Sequence, residues 1–359
     1  ERGMAFLDGM KRLDWAALAM TLALGAAGGL LARALHLPLA LLLGSLVVTG
    51  VVAAAGWRPF RRAVLLPMKL RSAFVPVIGV SIGGAFTPAV LSEAGVWWPS
   101  LLALLVFLPL AHGVGFAIYR LGGLPKLESF FGSVPGGLIE TVQMGEEAGG
   151  DVRLMTVLQF LRLILTIIFV PLIFMGLTGD AVGSASGAAL PAAAVPLTVW
   201  EVSVLLAAGG LGFFLGRALR FPAAIMTGPI LFSAVAHAAG LVHGVPPAWL
   251  VGVTQVVVGC GLGARFAGAE RRMLLRAMRL AVVNAVVALA LAYGFAVLLG
   301  PWVGEPVAAV FLAFAPGGLA EMSLIALSLQ MSVVYVTVHH VARIVLSVLI
   351  AKGARRWIG

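Results

Sequence analysis

Apolar stretches long enough to cross about 30 Å of hydrocarbon recur along this chain from Trp15 to Ile350, separated by short polar segments. Their spacing predicts spans near 15–35, 38–56, 73–92, 96–119 and 154–177, then near 198–219, 222–242, 247–267, 280–300 and 332–350. Between the last two spans of each series lies a segment broken by Pro-Gly-Gly, at 129–147 and 308–330. The two series are copies. Arg33, Pro38, Gly44 and Gly56 return as Arg217, Pro222, Gly228 and Gly240, 184 positions later. Val77-Ile78-Gly79 through Phe86 returns as Val257-Val258-Gly259 through Phe266, at an offset of 180. Pro135-Gly136-Gly137-Leu138, Glu140 and Arg162 return as Pro316-Gly317-Gly318-Leu319, Glu321 and Arg343, at an offset of 181. A repeat unit of this size divides the chain into a first membrane repeat, 1–178, a Gly/Ala/Ser/Pro linker, 179–196, and a second membrane repeat, 197–359.

Charge orients the copies, because cytoplasmic loops carry the excess of Lys and Arg. The second loop of the first unit is basic (Arg58, Arg61, Arg62, Lys69, Arg71), and its third loop holds only Glu93. In the second unit the second loop, around His243, lacks Lys and Arg, and the third carries Arg271, Arg272, Arg276 and Arg279. Equivalent loops therefore face opposite sides, which requires an odd number of crossings per unit. The expected fold is an all-α polytopic membrane protein of two inverted-topology repeats, with about ten transmembrane helices and two re-entrant or broken Pro-Gly-Gly elements. Full crossing by both broken elements would instead make the units parallel. Both termini are expected in the cytoplasm, with Lys11 and Arg12 at one end and Lys352, Arg355 and Arg356 at the other. The eight tryptophans fall near span ends, as an interfacial aromatic belt does.

Composition agrees: 61% of residues are hydrophobic and 11% charged, against about 25% charged in a soluble domain. The net charge of +10 serves topology, since the basic residues sit in short loops beside apolar segments; no nucleic-acid partner is expected. A single cysteine, Cys260, excludes an intramolecular disulfide and a Cys-rich metal site.

The chemistry concentrates at the breaks. Proline removes a backbone donor and the glycines release the chain from helical dihedrals, so a new half-helix is expected to start after Gly137 and after Gly318. Its exposed N–H groups favour an anion or a polar solute group, which makes Ser133, Pro135, Gly136, Gly137, Pro316, Gly317 and Gly318 the candidate solute-binding residues. A packing kink is the alternative. Glu140 and Glu321 fall in the first turn of the new half-helices, and Arg162 and Arg343 lie inside the next span. Ionisable groups at such depth cost about 2.5–3.5 kcal/mol each and seek partners, so Glu140 with Arg162 and Glu321 with Arg343 are expected either as fixed ion pairs or as coupling groups for a proton or cation. Gln159 and His340 occupy equivalent positions and add polar lining; His339 and His340 point about 100° apart and do not make a metal pair. No nucleotide-binding glycine motif, nucleophile elbow or HExxH is present, and His36, His112, His237 and His243 are scattered, so neither enzyme activity nor a cofactor or metal is expected.

The runs Phe131-Gly132-Ser133-Val134-Pro135-Gly136-Gly137-Leu138-Ile139-Glu140 and Ala315-Pro316-Gly317-Gly318-Leu319-Ala320-Glu321-Met322, with the downstream arginines, resemble the AbrB-type membrane protein family over nearly the whole chain. That family is distinct from the soluble DNA-binding regulator of the same name. Its members are duplicated and have carried the labels ammonia monooxygenase, transport protein and regulator of gene expression. The resemblance implies a bacterial inner-membrane location and carries over no substrate or catalytic residue. Together these readings point to a secondary transporter of a small polar or anionic solute, embedded in the lipid bilayer and compatible with an oligomer. A membrane-bound regulator or sensor is the alternative, and a monooxygenase comes third.

Overall fold

The computed structural model describes residues 14–87, 90, 92, 94–178, 196–268, 270–329 and 331–354. The proposed linker, except Pro196, lies outside them, as do Lys11, Arg12, Glu93, Gln330, Arg355, Arg356 and Trp357. The described residues form helices and connecting turns. The first seven α-helices are α1 (Trp15–Ala34), α2 (Ala40–Ala54), α3 (Met68–Gly83), α4 (Trp98–Leu121), α5 (Lys126–Ser133), α6 (Leu138–Glu147) and α7 (Val152–Thr178). Seven more follow in the same order: α8 (Val199–Ala218), α9 (Ala224–Ala238), α10 (Ala248–Gly263), α11 (Arg271–Val303), α12 (Val307–Phe314), α13 (Leu319–Ser328) and α14 (Val333–Ala354). Five of the seven matched pairs have equal lengths: 20, 15, 16, 8 and 10 residues for α1/α8, α2/α9, α3/α10, α5/α12 and α6/α13.

Seven described helices are long and apolar enough to cross a membrane: α1, α4, α7, α8, α10 with its 3-10 extension, α11 and α14. This is a multi-pass membrane protein. Helices α2 and α9, at 15 residues each, are apolar but shorter.

Matched glycines set the helix crossings. A Cβ on Gly44 would strike the backbone of Gly28, and a Cβ on Gly228 would strike that of Gly212, so α1 crosses α2, and α8 crosses α9, backbone against backbone. Such close approach is what small residues give membrane helices. The units also exchange partners: α10 packs on α2 through Gly259 and Gly263, and α3 packs on α9 through Gly79 and Gly83. The turns between the first two helices of each unit repeat as well, with His36 and Leu39 in the first and Arg220 and Ala223 in the second all at positive φ. Asp14 caps α1 by accepting from the Ala17 N–H, which with the adjacent Arg62 holds its carboxyl below the usual range.

Helices α11 and α14 both pack on α4. Arg276 of α11 donates to the carbonyls of Gly122 and Gly123 (2.8 and 2.9 Å), Asn284 to the Tyr119 hydroxyl (3.2 Å), and Phe295 meets Phe107 at 5.2 Å. Moving forward along α11 is moving backward along α4. These matched helices therefore run antiparallel. Helix α14 runs with α4: Trp97 packs edge-on against Tyr335 at 5.4 Å, and Ser100 meets His339 at 2.8 Å.

Candidate functional site

The first Pro-Gly-Gly break separates α5 from α6. At about 1.5 Å per residue these helices are about 12 and 15 Å long, each near half the hydrocarbon thickness. Their outer ends meet: the Asp151 N–H, just after α6, donates to Glu128 Oε1 in the first turn of α5 at 2.8 Å. Phe131, late in α5, reaches Gly145 in the last turn of α6, 3.1 Å from where a Cβ would stand. The two half-helices fold against each other as a hairpin. Its tip, Val134 to Gly137, leaves the last carbonyls of α5 without helical donors, and Pro135 supplies no N–H to repair the gap.

Arg162 of α7 supplies those donors. Its guanidinium donates to the carbonyls of Ser133 (3.3 Å) and Val134, and to Gln159 Oε1 at 2.8 Å. Gln159 in turn donates to the Phe131 carbonyl at 2.7 Å and the Thr141 hydroxyl at 3.0 Å. The second unit builds the same device. Arg343 donates to the carbonyls of Ala315 and Gly317 and meets His340 Nδ1 at 2.9 Å, while His340 Nε2 lies 2.9 Å from the Leu312 carbonyl. A carbonyl only accepts and a guanidinium only donates, so the network assigns His340 as the neutral Nε2–H tautomer. Gln159 and His340 are buried completely and do one job: each links its arginine to the carbonyl three positions before the one that arginine caps.

The expected ion pairs are not formed. Among the described residues neither Glu140 with Arg162 nor Glu321 with Arg343 comes within ion-pair distance. The reason lies in chain direction. The orphan acceptors are on the C-terminal end of the first half-helix, which draws a cation, whereas the carboxylates sit three residues into the second half-helix.

The two breaks share their letters but not their backbone. Gly137 caps α6 in the left-handed region (φ 66°, ψ 51°), whereas Gly318 caps α13 in an extended conformation (φ −79°, ψ 150°). The carboxylates follow. Glu140 is exposed, whereas Glu321 is 4% exposed and folds back against Gly318, filling the space a Cβ would take. Glu321 lies within the electrostatic reach of a cation that the sequence did not single out for chemistry, Arg71 in the first turn of α3, without forming an ion pair with it. The Arg71 Nε is buried and has no acceptor. The signal lay in the start of α3 at Met68, where a span beginning near 73 leaves Arg71 in a loop. Arg265, after α10, completes the basic side of this region.

The breaks converge. Gly136 packs on α14 (a Cβ there would be 3.3 Å from the Arg343 carbonyl and 3.0 Å from Ser347 Oγ), and Gly318 packs on α7, 3.2 Å from Leu163 Cδ1. Each tip is thus held by the arginine of its own unit and packed on the arginine helix of the other. Ser133, Pro135 and Pro316 are buried at this junction. Ser133 donates to the Phe130 carbonyl at 3.0 Å, and Ser323 pairs with Thr337 at 2.9 Å. An apolar cavity of about 720 Å³ opens between α7, α11 and α12; Val307, Ala308 and Phe311 of the second broken element line it, but no residue of either Pro-Gly-Gly tip does.

Residues 59–359 match the family described as "Transition state regulatory protein AbrB". The chain is similar to a protein of Escherichia coli (strain K12) described as "Putative regulator AbrB", with 29% identity over 324 residues and 88% of each chain covered. It is also similar to "Uncharacterized protein YhjN" of Bacillus subtilis (strain 168), with 27% identity over 288 residues, covering 75% of this chain and 73% of the relative.

Proposed function

The chain belongs to the AbrB family, and from that premise we propose that it is a secondary transporter which moves a small polar or anionic solute by alternating access. Its place in this reading is the bacterial inner membrane, with both termini cytoplasmic and repeats 1–178 and 197–359 inserted in opposite orientations around a linker at 179–196. The observation that carries the reading is the junction of the two breaks, each clamped by its own arginine and packed on the partner unit's arginine helix. Support for opposite orientation comes from the antiparallel run of the matched helices α4 and α11. A hairpin at 126–147 adds an even number of passages to the first unit, in keeping with the five crossings per unit, an odd number, that this reading of an inverted repeat needs. Broken helices meeting between inverted repeats are the recurring site of secondary transporters, and fold analogy is the step that leads from them to transport.

The unequal breaks support alternation. In an inverted-repeat carrier the two units hold different conformations and exchange them when access switches. Here Gly137 is left-handed with Glu140 exposed, and Gly318 is extended with Glu321 buried. In the opposite state the roles reverse. Solute flux into proteoliposomes tests this: wild-type protein carries a solute-dependent, pH-sensitive flux that Glu321→Gln and Glu140→Gln alter. Flux unaffected by either variant and by the double variant removes the coupling role of the carboxylates.

A second reading follows from the description of the Escherichia coli relative as a regulator. A membrane sensor would bind a ligand without moving it. Ligand binding and an expression phenotype with no measurable flux favour that reading over transport. A carrier that changes the internal level of a metabolite would also alter expression, so the flux measurement is the one that separates them.

A further inference from the structure

The charges buried around the two breaks do not balance. Arg162 is 6% and Arg343 2% exposed, and each lies within the other's electrostatic reach. Their carbonyl partners satisfy N–H groups but carry no net charge. The Nε–H groups of Arg71, Arg162 and Arg343 are buried without an acceptor. The helices with the main packing on α13, which are α14, α12, α3 and α7, can be checked for a counter-charge. Helix α3 presents Arg71, with Arg265 behind it; α7 presents Arg162; α14 presents Arg343, the neutral His340, and His339, which is engaged by the Tyr335 carbonyl and Ser100; α12 has no titratable side chain. Arg71 is half-buried and Arg265 exposed; against the buried Arg162 and Arg343 stands, on α13 and these helices, one buried carboxylate, Glu321, while the buried Glu128 lies at the outer end of α5 beside the Asp151 N–H. Unpaired buried charge is costly, and the cost falls when a counter-ion enters.

Glu321 occupies the place such an ion would take. Its carboxylate lies at the first turn of α13, against Gly318, where the positive end of the half-helix favours an anion, and it is within the electrostatic reach of Arg71 without forming an ion pair. An anionic solute and an ionised Glu321 therefore compete for one positive field. We propose that a small oxyanion of the carboxylate type binds between Arg71 and the tip of the second break when Glu321 is protonated, so that each solute is taken up with one proton. This rests on the transporter reading and names its solute class and coupling ion. The exchange conserves charge at the site: the proton neutralises Glu321, and the oxyanion restores the negative charge that was lost. A planar oxyanion also suits the fork of a guanidinium better than a spherical ion does.

Binding of radiolabelled acetate and sulfate to the purified full chain in detergent, across pH from about 5 to about 8, tests the proposal. Above the titration of Glu321, with one proton linked to one anion, affinity falls about tenfold for each unit of rising pH. Glu321→Gln mimics the protonated carboxyl and binds with the wild-type low-pH affinity at every pH. Arg71→Gln weakens binding throughout, Arg71→Lys restores most of it, and the surface variant Glu146→Gln leaves the pH profile as it is. The same anions are then followed into proteoliposomes beside methylammonium and glycerol. Anion binding linked to pH but without flux sustains the proposed site and removes the transporter. Flux of methylammonium or glycerol without acetate or sulfate sustains the transporter and overturns the proposal. Acetate binding independent of pH in the wild type overturns the proton linkage, and no binding of acetate, whether or not the tetrahedral dianion sulfate binds, overturns the proposal outright.

Discussion

Replacing His340 by glutamine should leave the protein almost as stable as the wild type, whereas replacing it by leucine should not. His340 does two things: its Nε2–H serves the Leu312 carbonyl and its Nδ1 accepts from Arg343. Leucine preserves the bulk but abandons both partners, one buried carbonyl and one buried guanidinium N–H. At about 1–3 kcal/mol for each unsatisfied buried group, the expected loss is about 2–6 kcal/mol. Glutamine offers a donor and an acceptor in the same sense, and the first unit shows that it suffices, because Gln159 links Phe131 and Arg162 in this way. The expected cost of His340→Gln is below about 1.5 kcal/mol, the range of a volume-conserving swap. Thermal unfolding of the purified protein in detergent, followed by tryptophan fluorescence, compares the two variants directly. Equal destabilisation by Gln and Leu would refute the equivalence of the two networks. A His340→Gln protein that unfolds like the wild type but loses flux would show that the imidazole acts chemically and not as a strut.

Alanine at Gly44 or Gly228 forces apart a helix pair that meets backbone to backbone, and each should cost about 1–3 kcal/mol in the same thermal assay, while Gly210→Ala, which faces open space, should be near neutral. Alanine at Gly137 must hold a left-handed residue at a cost of about 1–2 kcal/mol. At Gly318 the backbone is extended and alanine is free of that strain, but its methyl displaces the Glu321 carboxylate, so Gly318→Ala should change the pH dependence of flux more than it changes stability. Matching losses of stability with an unaltered pH profile would contradict the assignment.

Much of the fold could be read from residue spacing alone. The repeat offsets found the matched helices, and the rule that proline and glycine end one half-helix and open the next placed the starts at Leu138 and Leu319. Three features escaped. The arginines were matched to carboxylates because spacing reports which charges are near in sequence, whereas the open acceptors at a break are backbone carbonyls that every residue carries. The difference between the two tips is invisible in the sequence, since glycine accepts either sign of φ and both breaks read Pro-Gly-Gly-Leu. Arg71 reads as a loop residue because charged residues mark the edge of an apolar span, whereas α3 starts three residues before it.

The most direct test of the account is the sidedness of two matched loops. With Cys260 replaced by alanine, single cysteines at Phe60 and at His243, both exposed, report the second loop of each unit. A membrane-impermeant maleimide applied to oriented vesicles is predicted to label the two from opposite sides, with Phe60→Cys reached from the cytoplasmic face. Labelling of both from the same side would make the units parallel and remove the structural support for an alternating-access carrier.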